Sequence, residues 1–91
     1  MRKFVLFYET SEDVLETAPV HFAPRRPRYE GFHARGELLM IGTFADAVRD
    51  GAMAVVATRE VAEEFAKDDP FVLNGFVRSW EVREWNEALV D

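Results

Sequence analysis

The chain has 91 residues, 48% of them apolar, and a formal net charge of −6 at pH 7. That length suits one domain spanning 1–91; the apolar fraction excludes a disordered chain, and the acidic balance argues against nucleic acid or an anionic membrane surface as a partner. There is no cysteine, hence no disulfide and no thiol nucleophile.

The opening Met1-Arg2-Lys3 is followed by a five-residue apolar run, Phe4 to Tyr8, too short for a signal-peptide core. No segment approaches the roughly 18 apolar residues of a spanning helix, so the expectation is a cytoplasmic protein. Lys3 to Tyr8 reads as a strand with Phe4, Leu6 and Tyr8 on one face and Val5 and Phe7 on the other. Glu9 to Val20 is polar and irregular. Ser11 is placed to cap one helical turn through Val14 and Leu15, and Pro19 forbids a long helix there.

Tyr29, Phe32 and His33 fall at helical spacing, which predicts a helix from about Pro24 or Arg26 to Arg35, stopped by Gly36 in the left-handed conformation. Gly36 to Asp46 is the stretch around which the chain is expected to be organised. Within it, Leu38 to Phe44 reads as a second strand, its unbroken apolar start suiting a strand covered on both faces. Asp46 to Gly51 reads as a polar hairpin loop and Ala52 to Ala57 as a third strand. Thr58 is the N-cap of a second helix with Val61, Ala62, Phe65 and Ala66 on its inner side, ended by Asp68-Asp69-Pro70. Phe71 to Asn74 suits one further turn closed by Gly75. Phe76 to Trp85 alternates apolar and polar residues, as an edge strand does.

The order β-α-β-β-α-β predicts an α+β, ferredoxin-like βαββαβ fold: a four-stranded antiparallel sheet with two helices on one face. Nothing in the chain is left to cover the other face, which predicts a homodimer.

Two histidines without cysteines support no metal site, and there is neither a glycine-rich phosphate loop nor a Gly-x-Ser-x-Gly elbow. No cofactor is implied. His21 reads either as a structural residue or as an acid/base, since imidazole titrates near neutrality. His33, on the apolar helix face, reads better as packing. Arg25, Arg26, Arg28 and Arg35 form a basic cluster, three of them at a helix start where the dipole disfavours them. At least one is expected to be held for an anion, either an internal carboxylate such as Asp68 or Asp69 or an acidic ligand. Asp46 is a loop acid and the remaining binding candidate.

The pieces Phe32-His33-Ala34-Arg35-Gly36-Glu37-Leu38-Leu39-Met40-Ile41-Gly42, Gly51-Ala52-Met53-Ala54-Val55, Asp69-Pro70-Phe71-Val72 and Glu84-Trp85 together resemble the YCII-related family. The resemblance implies a ferredoxin-like dimer closed through its sheets, a dimeric α/β barrel, with a pocket centred on a His and an Asp. Asp69 matches the family's Asp-Pro-aromatic motif. Where the family's histidine falls, this chain has Arg25, with His21 four positions earlier.

Two functions follow. One is a small cofactor-free enzyme in which His21 moves a proton, Asp69 orients it and Arg25 holds the substrate. It would eliminate from or isomerise a small aromatic or lactone acid. The alternative is a non-catalytic dimeric module that binds a small acidic ligand through Arg25. An Arg25–Asp69 contact belongs to either.

Overall fold

The structure, a computed structural model, describes residues 2–10, 26–73 and 75–89. His21, Arg25 and the turn expected after Ser11 lie outside the described residues. In chain order come β1 (Arg2–Thr10), a helix α1 covering 26–34 of the described residues, β2 (Leu38–Thr43), α2 (Ala47–Asp50), β3 (Ala52–Val56), α3 (Arg59–Lys67), α4 (Pro70–Leu73) and β4 (Val77–Asn86). The four strands form one antiparallel sheet in the order β2-β3-β1-β4. This is the ferredoxin-like α+β arrangement, with β4 at an edge as its alternating sequence predicts.

Local chemistry sets the element ends. Thr58 accepts from the Val61 N–H at 3.1 Å and caps α3. Gly36 has φ +74°, donates to the His33 carbonyl, and lets Glu37 donate to the Phe32 carbonyl. That bond pair is the Schellman stop, which requires a left-handed residue. Gly75 ends α4 in the same way, donating to Val72 while Phe76 donates to Phe71. The rings of Phe71 and Phe76 meet edge to face at 5.7 Å beside that turn.

The core lies between the helices and one sheet face. Leu6 and Tyr8 of β1, Ala54 and Val56 of β3 and Leu38 of β2 meet Phe32 of α1 and the expected inner side of α3, Val61, Ala62, Phe65 and Ala66. Phe65 is fully buried, stacked on Tyr29 and edge to face with Phe32. Cross-strand partners share a face, so Val5, Phe7, Met53, Val55, Met40 and Trp85 lie on the other one. Among the described residues no helix is long and apolar enough to cross a membrane.

One expectation is qualified and one corrected. Within the single chain, β2 beyond Leu38 is open to solvent, although its apolar run suits a strand covered on both faces. β1 and β3 fill the middle, and β2 is an edge strand whose Leu39, Met40 and Ile41 are exposed, Met40 by 66%. A register shift between Leu38 and Met40 leaves Leu38 as the buried residue of the run. The connection Asp46 to Gly51 is not a plain loop. Asp46 accepts from the Arg49 N–H at 3.1 Å and nucleates the one-turn helix α2. Gly51 then leaves it with φ +77° and ψ −142°, where a Cβ would lie 1.9 Å from the Tyr8 carbonyl oxygen.

Candidate functional site

Asp69 is where the chain turns from α3 into α4. Pro70 keeps the residue before it out of the helix and itself suits the first helical position. The Leu73 N–H donates to the Asp69 carbonyl at 2.9 Å, and the Phe71 N–H donates to Asp69 Oδ1 at 2.9 Å. The side chain is 0% exposed. Its second oxygen, Oδ2, accepts from the Tyr8 hydroxyl at 2.8 Å, across 61 residues of sequence. Burial of a carboxylate is costly unless donors meet it, and here both oxygens are met.

Tyr8 comes from the middle of the sheet and lines a cavity of about 910 Å³. One wall is α1, which presents Arg26, Tyr29, Glu30 and His33, positions i, i+3, i+4 and i+7 of one helical face. The opposite wall is apolar, built from Leu38 to Thr43 of β2 and Ala52 to Ala54 of β3, with Phe71 of α4. The two charges of the helical wall neutralise each other. Arg26 Nε lies 3.3 Å from Glu30 Oε1 in an exposed pair. The Tyr8 proton is committed to Asp69, so toward any other group the Tyr8 oxygen acts as an acceptor.

The sequence candidates therefore separate. Asp69 supports the cavity through Tyr8. Asp46 is exposed, caps α2 and is not part of the cavity lining. His21 and Arg25, and with them the Arg25–Asp69 pair, lie outside the described residues. His33, expected to pack, is exposed on the cavity wall, with Nδ1 2.8 Å from the Leu38 carbonyl oxygen. The spacing that places it on the face of Tyr29 predicts core, yet that face turns partly to the cavity. The same spacing, continued back to Arg26 and Glu30, is the signal that could have marked this wall.

Of the arginine cluster, Arg28 is held by an internal negative pole rather than by a carboxylate. Its Nη2 donates to the Phe65 carbonyl at 2.9 Å, in the last turn of α3. Its guanidinium carbon sits 4.6 Å from the centre of the Phe65 ring. The C-terminal end of a helix carries partial negative charge, which offsets the unfavourable position of Arg28 on α1. Arg35 pairs with Glu37 and lies over the Phe32 ring at 4.6 Å. Among the described residues no group of three or more His, Asp or Glu side chains is placed to hold a metal ion.

A family model described as the YCII-related domain matches residues 2–86. Among solved structures, the fold is similar to that of 5-chloro-2-hydroxyhydroquinone dehydrochlorinase (TftG) from Burkholderia phenoliruptrix AC1100, solved in complex with 2,5-dihydroxybenzoquinone. The TM-score is 0.75 at 16% identity, covering 94% of this chain and 95% of that one. No curated protein matches the sequence.

Proposed function

The chain belongs to the YCII-related domain family, and from that premise we propose that it is a small acid–base enzyme needing no cofactor. Its substrate is a small aromatic or lactone acid, and the reaction is elimination or isomerisation. The carrying observation is Asp69, a carboxylate fully out of solvent whose Oδ2 holds the hydroxyl of a cavity-lining tyrosine. In an elimination a base takes a substrate proton, the freed electron pair forms the double bond, and the leaving group departs with its own pair. In an isomerisation the same proton returns at another carbon.

The Tyr8–Asp69 pair suits the first step. A proton accepted by the Tyr8 oxygen is matched by transfer of the Tyr8 proton to Asp69. His21 is the other proposed base, oriented by Asp69, and Arg25 the proposed anchor for the substrate's acidic group. The apolar β2–β3 wall suits a flat ring. A dehydrochlorinase of the same fold, named for a chlorinated hydroxyhydroquinone, supports an aromatic substrate and elimination.

The working unit of this proposal is a dimer closed through the sheet face away from the helices. Met40 is 66% and Trp85 48% exposed on that face, and a stable interface there buries about 1,000 Å² or more in total. Light scattering at micromolar concentration is expected to give twice the chain mass, and a monomer removes the dimer from the proposal.

The enzymatic test is a panel of chlorinated hydroquinones and muconolactones, followed by chloride release and by absorbance. Turnover is expected, falling about 100-fold or more in Asp69→Asn, the scale of a lost proton-transfer group. Saturable binding of acidic ligands without turnover instead makes the protein a binding module. Turnover at full rate in Asp69→Asn overturns the role of the carboxylate.

A further inference from the structure

We infer that His33 is a ligand-contacting residue of the cavity, its two ring nitrogens divided between the fold and the ligand; this rests on reading the cavity as a small-molecule site. His33 stands in the last turn of α1, exposed and lining the cavity. Its Nδ1 lies 2.8 Å from the Leu38 carbonyl oxygen. A carbonyl oxygen only accepts, so Nδ1 carries the hydrogen. When the ring is neutral, that bond leaves an acceptor lone pair at Nε2, the tautomer being set by the bond at the other nitrogen.

The bond to Leu38 is not needed to close the turn. Gly36 and Glu37 already donate to the His33 and Phe32 carbonyls there. What the side-chain bond adds is a fixed ring with a defined polarity. The groups around it leave that polarity intact. Arg26 and Glu30, on the same helix, pair with each other at 3.3 Å. Tyr8, from β1, donates to Asp69. The lining contributed by β2, β3 and α4 carries no charged side chain. A ligand at this end of the cavity thus meets His33 Nε2 as an acceptor beside an apolar wall. The chemistry recognised at His33 is a hydroxyl or N–H donor on an apolar ring, rather than a bare anion.

The test pairs two probes with two substitutions, read by calorimetry. Hydroquinone carries hydroxyl donors, and 1,4-dimethoxybenzene has nearly the same ring without them. His33→Asn keeps an amide donor near the Nδ1 position and removes Nε2. His33→Gln gives up Nδ1 and places an amide near Nε2. The expected result is that His33→Asn binds hydroquinone about three- to tenfold more weakly, the worth of one neutral hydrogen bond. Its affinity for the diether and its melting temperature stay unchanged, and His33→Gln recovers part of the lost affinity. Equal loss for both probes, or no loss, overturns the assignment. A loss in Asp69→Asn but not in His33→Asn keeps the cavity reading and removes His33 alone. Wild-type protein that binds neither probe overturns the small-molecule reading and the His33 assignment with it. Nitrogen-15 spectra of the wild-type imidazole test the same point without a variant. Nδ1 is expected protonated, with the Nε2 resonance moving as hydroquinone is added. A ring protonated at Nε2 alone, or an unmoved resonance, overturns the assignment.

Discussion

Asp46 and Asp69 stand in matching places. Each precedes a four-residue helix, Ala47–Asp50 or Pro70–Leu73. Each side chain accepts a backbone N–H from the first turn, Arg49 at 3.1 Å and Phe71 at 2.9 Å. The local chemistry is the same, and the outcome is not. Asp46 is exposed on the β2–β3 connection, where its other oxygen lies 4.0 Å from the exposed Arg49 Nε. Asp69 is fully buried, and its other oxygen accepts from Tyr8 of the sheet. A cap becomes a candidate site when a distant element both removes the water and supplies a donor.

The largest effect expected comes from removing the core ring of α3, the helix that leads into Asp69. Phe65 is fully buried against Tyr29, Phe32 and the Arg28 guanidinium. Phe65→Ala is expected to cost about 3–5 kcal/mol in denaturant unfolding. A loss under about 1 kcal/mol would mean that the α1–α3 layer closes without this ring.

Asp69→Ala comes next, at about 2–4 kcal/mol. Two buried donors, Tyr8 O–H and Phe71 N–H, lose an acceptor at about 1–3 kcal/mol each, and recovery of the carboxylate's own desolvation offsets part of this. Double-mutant cycles with Tyr8→Phe isolate the pair, and additivity of the two losses would break the contrast with Asp46.

Gly51→Ala probes the same tyrosine from behind. The left-handed backbone there costs an alanine about 1–3 kcal/mol, and a Cβ at 1.9 Å from the Tyr8 carbonyl forces β1 to move. Its unfolding midpoint is expected to drop, with hydroquinone affinity falling alongside. Loss of stability with affinity intact would show that β1 shifts without moving the Tyr8 ring. Asp46→Ala is expected to cost only about 1 kcal/mol, the worth of an exposed N-cap, and to leave ligand affinity as it was. A fall in affinity would restore Asp46 as a binding residue.

How much of this was legible follows from what is local. Gly36, Thr58, Pro70 and Gly75 act within a few residues, and they place the helix ends correctly. Strand alternation in β4 and the inner residues of α3 read through for the same reason. The exposure of β2 did not, because an apolar run looks alike in the middle and at the edge of a sheet. The difference between Asp46 and Asp69 depends on Tyr8, which no spacing rule links to either. His33 was hidden by the face it shares with Tyr29, whose ring serves both core and cavity.

The smallest effect belongs to the exposed side of the comparison, and it concerns pH. The Arg49 side chain hydrogen-bonds the Asp50 carboxylate and holds its pKa below the ordinary value, against an opposing desolvation. A carboxyl group with a lowered folded-state pKa adds stability above its unfolded pKa and loses it as pH falls through the folded one. The contribution is therefore expected at neutral pH and gone in acid. Because the pair lies in water, salt screens it. Carbon-13 titration of the Asp50 carboxyl is expected to give a midpoint that rises toward the ordinary value in Arg49→Ala, and rises partway in 1 M salt, roughly a 3 Å screening length. The Tyr8–Asp69 bond, sealed from the solvent ions, is expected to leave the Asp69 carboxyl signal unmoved by the same salt. If salt shifts Asp69 as much as Asp50, water and ions reach both carboxylates alike, and the distinction between the cap and the candidate site fails.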